Sequence, residues 1–239
     1  MGPLVLGLGD EKMTGTLILI ALTIAFAVSC VLLRRKNQSF AGMICKFMAS
    51  FGFISVAILG NYLNPVNPFY FSFTCIALMF GFCGDVFLGI KEISPTFKKK
   101  LIPVGTAYFL IGHIFNIIAL SSFNGFKPIL GISVLLGAAF ALILIKSLKA
   151  MVKGGLLAIL CIYYGFLFWK LSIAIDLIIG QVNTANILIL CSAILFLISD
   201  TCLGILYFTP VKKKNFLVTA ELSTYYPAQI LMAMSVMML

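Results

Sequence analysis

The chain has 239 residues, 62 % of them hydrophobic and only 10 % charged, and this excludes a water-soluble domain, in which about a quarter of residues are charged. Lysine and arginine outnumber aspartate and glutamate 17 to 7, but loop positions account for most of the excess and nucleic acid is not needed as a partner. Seven cysteines form no CxxC pair and there is a single histidine, so no zinc-type ligand set, and no metal or other cofactor, is expected.

Taken in order, apolar stretches near the ~20 residues that cross hydrocarbon fall at roughly 14–33, 40–60, 69–90, 101–121, 128–147, 154–175, 186–207 and 216–238. They specify an all-α fold, a polytopic membrane helix bundle of about eight transmembrane helices in a single domain. Asp10 and Glu11 precede the first stretch and basic residues follow it, the reverse of a signal peptide; Val31-Leu32-Leu33 carry the apolar run past Cys30, against a lipoprotein cleavage site. The second helix contains Lys46. The third ends in Gly81-x-x-Gly84-Asp85, its glycines suited to close helix approach. Tyr108, His113 and Asn116 lie on the fourth, Tyr163 and Tyr164 on the sixth, and Ser199-Asp200 on the seventh. The eighth carries Glu221, Tyr225, Tyr226 and Gln229, with Pro227 interrupting it.

Thirteen of the 17 basic residues fall in the loops after helices one, three, five and seven: 34–36, 91, 98–100, 146, 149, 153 and 212–214. By the positive-inside rule those loops are cytoplasmic and both termini extracytoplasmic. Lys12, Lys127 and Lys170 are assigned to the opposite side. The lysine triplets mark topology, with anionic membrane lipid as a secondary contact.

Two segments repeat. Residues 84–100 read GDVFLGIKEISPTFKKK and residues 199–214 read SDTCLGILYFTPVKKK, aligned by one gap. Helix three maps on helix seven and helix four on helix eight, a parallel 4+4 repeat with halves at about 14–121 and 128–238. Asp85 and Asp200 are therefore equivalent positions, each about six residues and ~9 Å inside its helix end, with Lys46 level with them. Charges at that depth are expensive and point to function. A Lys46–carboxylate pair that ties helices together explains one aspartate and leaves the other without an obvious cation. Unequal surroundings that keep one carboxyl as acid and the other as carboxylate suit acid–base chemistry. His113, about twelve residues into its helix, is placed near mid-bilayer, opposite Gln229 in the repeat; by itself it reads as a hydrogen-bonded core residue.

GFCGDVFL at 81–88, AYFLIGHIF around His113, ILFLISDTCL at 194–203 and STYYPAQILMA at 223–233 together resemble the lysoplasmalogenase family of YhhN-like membrane proteins. The resemblance runs from Lys46 through helix eight. The chain departs from the family at Asn116, where tyrosine is usual, and the family's helix-six tyrosine falls on Tyr163 or Tyr164. The resemblance implies hydrolysis of the vinyl ether bond of a lysoplasmalogen, a lysophospholipid, to a fatty aldehyde and a glycerophospho-headgroup. Protonation of the β-carbon gives an oxocarbenium ion that water captures, a problem that glycosidases meet with two carboxylates. On this reading Asp85, Asp200 and His113 are catalytic, and Lys46, Tyr108, Ser199, Tyr225, Tyr226 and Gln229 meet substrate or water. The alternative is a proton-coupled membrane transporter using the paired aspartates; a lipid-binding scaffold without activity is a third. Preferred headgroup and oligomeric state are not legible.

Overall fold

A computed structural model of the chain describes residues 3–94, 96, 98–148, 150, 152, 154–210 and 213–238, with the side chains of 3–13, 98 and 99 outside the described set. The described residues form eight helices, α1 (Pro3–Arg35), α2 (Ser39–Leu63), α3 (Pro68–Ile93), α4 (Lys98–Asn124), α5 (Ser133–Ser147), α6 (Gly155–Gly180), α7 (Thr184–Phe208) and α8 (Lys214–Ser235), and no strand. A 3-10 turn at Pro128–Ile132 precedes α5, so the fifth helix begins five residues later than its apolar stretch suggests. Proline is suited to the first turn of such a segment, where its missing N–H leaves no bond unmade.

Seven of the helices are long and apolar enough to cross a membrane, and the chain is a multi-pass integral membrane protein. The exception, α8, is long enough at 22 residues, about 33 Å, but its polar residues lower its hydropathy. Those residues face inward: Glu221, Tyr225, Tyr226 and Gln229 are all buried.

Helices adjacent in sequence pair as α1·α2, α3·α4, α5·α6 and α7·α8, and contacts of α2 with α3, α4 with α6, α6 with α7, and α8 with α1 and α2 close the bundle. Lipid gives helices no hydrophobic reason to associate, so small residues and interhelical hydrogen bonds carry the packing. Gly84 shows this at the α3–α4 contact, where a Cβ would lie 2.7 Å from the Phe109 ring. At Gly137 the contact is with backbone: a Cβ there would overlap the carbonyl oxygen of Tyr164, and α5 has only Gly137 and Ala141 buried. Gly137→Ala should therefore push α5 off α6 and destabilise the protein by about 1–3 kcal/mol. Thermal unfolding in detergent measures this, and a wild-type midpoint would refute the contact.

Two expectations about the helices are corrected. α8 runs unbroken through Pro227, as α4 does through Pro103; one missing backbone bond is tolerated when neighbouring helices hold the segment. Lys170 does not belong to a loop: it is 1 % exposed, ten residues before the end of α6, about 15 Å inside.

The α1–α2, α3–α4, α5–α6 and α7–α8 connections lie at one end of the bundle, the basic end. Lys100, Lys213 and Lys214 are exposed there, whereas Arg34 and Lys91 turn inward. Lys149, Lys153 and Lys212 are outside the described residues, as are the side chains of Lys12, Lys98 and Lys99. One apolar cluster, around Phe53, Leu78, Ile117, Leu177 and Met232, is joined by the 2.6 Å hydrogen bond of Tyr70 and Ser235 between α3 and α8. A second, around Leu88, Phe109, Phe196, Leu222 and Tyr225, encloses the polar residues described next.

Candidate active site

Helical spacing assembles each polar group before the helices meet. Lys46 and Ser50 are four apart on α2, as are Tyr225 and Gln229 on α8, so each pair shares a face. On α7, Ser192, Phe196 and Asp200 recur every four residues, all turned inward. Phe109, His113 and Asn116, spaced four and three apart, are likewise buried on α4.

Asp85 is fully buried and engaged on both oxygens. Lys46 Nζ lies 2.9 Å from Oδ1. Ser50 Oγ and the Tyr225 hydroxyl each donate to Oδ2 at 2.6 Å, and Gln229 Nε2 donates to the Tyr225 oxygen at 3.2 Å. Charge-assisted bonds of this kind are the strong ones, and all of them suit a carboxylate.

Asp200 has a different shell. Tyr163 donates a short hydrogen bond to Oδ2, and His113 Nε2 is 3.8 Å from that oxygen and 3.3 Å from the Tyr163 hydroxyl. Tyr164 donates instead to the Asp200 backbone carbonyl at 3.2 Å. Tyr163 is thus the helix-six tyrosine that faces the carboxyl. Lys170, the cation that the sequence reading assigned elsewhere, interacts electrostatically with Asp200 and has its Nζ 5.2 Å from the Phe196 ring centre. A cavity of about 30 Å³ between α4, α6 and α7 reaches Asp200, lined also by Thr106, Phe109, Leu203 and Tyr207.

Among the described residues no side chain hydrogen-bonds to both aspartates. Phe196 joins the two groups, its ring centre 5.5 Å from Tyr225 and 4.6 Å from His113. Asp85 and Asp200 each stand eight residues before the end of their helix, about 12 Å, or ~3 Å deeper than the apolar stretches suggest. His113 lies thirteen residues into the Lys100–Asn124 span of α4, near its middle, and its ring still comes within 3.8 Å of the Asp200 carboxyl.

The remaining candidates separate. Ser199 is buried beside Asp200. Tyr226 turns to α1, its hydroxyl 3.8 Å from Cys30 Sγ. Tyr108 is half-buried and stacks on Phe87 at 5.0 Å, away from both carboxyl groups' hydrogen-bond partners. Glu221 does not reach water: it is buried and 3.6 Å from Arg34, which also pairs closely with Glu92. Ser50, Phe196 and Lys170 were missed in the sequence. Only Lys170 gave a signal, an ionisable residue inside an apolar stretch. His113 Nδ1, Asn116 Oδ1 and Ser192 Oγ are among the buried side-chain atoms without a hydrogen-bond partner among the described residues, and such atoms mark places where a further polar group fits. No group of three His, Cys, Asp or Glu gathers among the described residues.

A family model described as the YhhN family matches residues 56–236. No curated protein and no solved structure is a match for the chain.

Proposed function

This chain belongs to the YhhN family, and from that premise we propose that it is a membrane hydrolase that cleaves the vinyl ether bond of a lysoplasmalogen. The observation that supports this reading is the unequal setting of two buried carboxyl groups: Asp85 is occupied by an ammonium and two hydroxyl donors, while Asp200 borders a cavity with a tyrosine and a histidine. Their partners also exchange as a duplication requires. Asp85 on α3 is met from α2 and α8, and Asp200 on α7 from α6 and α4.

In the proposed reaction Asp200 gives its proton to the β-carbon of the vinyl ether. The adjoining carbon and ether oxygen then share the positive charge of an oxocarbenium ion, which faces the Asp200 carboxylate. Water adds to that carbon and returns a proton to Asp200, with Tyr163 and His113 holding the carboxylate in place. The hemiacetal loses its hydroxyl proton and expels the glycerol oxygen, which takes up a proton, giving aldehyde and glycerophospho-headgroup. Asp85 remains the paired carboxylate. It fixes Tyr225, and through it Gln229, against the same aromatic wall, so its part is positioning. Lys46 holds Asp85 in that state, and the low dielectric of the interior makes the pair effective.

A substrate panel tests the reading. Purified protein should release free aldehyde from a vinyl ether lysophospholipid, and none from the alkyl ether analogue, with the rate unaffected by EDTA. No aldehyde from the vinyl ether substrate would remove the proposal, and loss of activity with EDTA would replace the carboxylic acid with metal chemistry. The transporter alternative receives less support: carriers of this type place their sites at broken helices, and the helices carrying Asp85, Asp200 and their partners run unbroken.

A further inference from the structure

The basic end of the bundle has a second, larger cavity, of about 270 Å³, lined by Arg34, Asn37, Lys91, Glu92, Tyr207 and Lys214 among others. Its charges are not matched. Arg34 is committed to Glu92 and Glu221. Lys91 is 4 % exposed, and its ammonium lies 3.4 Å from the centre of the Tyr207 ring. Among the described residues no carboxylate is within ion-pair distance of Lys91 or Lys214. A buried ammonium held only by an aromatic face is costly, and an anion in the cavity would complete its coordination. Asn37 and Asn215 add neutral hydrogen-bonding groups to the same wall.

Tyr207 lines this cavity and also the small one at Asp200. Lys91 is six residues from Asp85 along α3, and Tyr207 is seven from Asp200 along α7, about 9 and 10 Å of axial rise. That spacing is comparable to the reach of an extended glycerophosphate from its phosphorus to the vinyl carbons. We propose that this cavity is a phosphate-binding site for the headgroup of a single-chain phospholipid, with Lys91 and Lys214 on the phosphate oxygens and Tyr207 as the wall between headgroup and reacting bond. The assignment of headgroup and reacting bond to neighbouring cavities rests on the hydrolase reading above. The lysines at this end then have a binding role beyond marking topology.

Binding is measured with ligands that cannot react: a saturated alkyl ether lysophospholipid, the matching headgroup-free alkylglycerol, and inorganic phosphate. The wild-type protein in detergent should bind the lysophospholipid at least about tenfold more tightly than the alkylglycerol, and Lys91→Gln should erase most of that preference. Lys214→Gln, at an exposed position on the rim, should reduce it in the same direction and decides the matter if the Lys91 variant fails to fold. A preference that survives in folded Lys91→Gln, or in Lys214→Gln where the Lys91 variant does not fold, overturns the site. Inorganic phosphate that binds as tightly as the lysophospholipid overturns the lipid assignment and leaves a free-phosphate site. Aldehyde release separates the two proposals. A lysine-dependent preference without aldehyde release retains the headgroup site and discards the hydrolase; aldehyde release without the preference does the reverse.

Discussion

Asp200→Asn lowers the rate of aldehyde release by about 10²- to 10⁴-fold, the usual contribution of a positioned general acid, with little change in the unfolding midpoint. The amide has nearly the shape of the carboxyl and can still accept the Tyr163 hydrogen bond, so the site remains assembled. What it lacks is an acidic proton for carbon and a carboxylate to face the cation that follows. Initial rates on purified protein, matched to thermal unfolding in the same detergent, give the comparison. Turnover within about threefold of wild type would falsify the assignment of Asp200 as proton donor.

The Lys46–Asp85 pair should behave in the opposite way, as a stability element whose halves depend on each other. Lys46→Met leaves the Asp85 carboxylate with hydroxyl donors only, and Asp85→Asn leaves a buried ammonium without its counter-ion. Each single change is expected to cost about 3–5 kcal/mol. The double variant removes both charges while asparagine keeps acceptors for Ser50 and Tyr225, so most of the loss should be recovered. Equilibrium unfolding of the four proteins gives the coupling energy. Additive losses would mean that the 2.9 Å contact carries no mutual stabilisation. Because Asp85 acts through Tyr225, its variant should also lose activity, but less than Asp200→Asn at equal folded fraction.

The contrast between the two aspartates shows what was legible beforehand. Their expected equivalence came from the repeated segments, and matching positions along the helices suggested that Lys46 pairs with one of them; the structure makes that one Asp85. His113 was recognisable as a buried ionisable residue near the middle of its helix, but its meeting with Asp200 and Tyr163 was not. Lys170 was assigned to the side opposite the basic loops, but α6 runs on for ten residues beyond it. Tyr163 and Tyr164 were not told apart in the sequence: adjacent residues on a helix point about 100° apart, and the cue to direction, Lys170 seven residues after Tyr163 on the same face, had been assigned elsewhere. Tyr108 and Tyr226 were grouped with the site by motif, and the packing turns them to Phe87 and Cys30 instead.

The sequence by itself determined the medium, the helical fold class and the presence of Asp85, Asp200 and Lys46 at comparable positions along their helices. These follow from composition, segment length and one-dimensional spacing, quantities that need no neighbour in space. Only the tertiary structure decided that Ser50 and Tyr225 converge on Asp85, that Tyr163 and His113 converge on Asp200, and that Phe196 stands between the two groups. It alone turned Lys91 toward Tyr207 and left Arg34 bound to two glutamates. In a helix surrounded by lipid and other helices alike, hydrophobicity does not distinguish the packed face from the exposed one. Rotation about each helix axis is set by glycine contacts and interhelical hydrogen bonds, and these exist only once the helices are assembled.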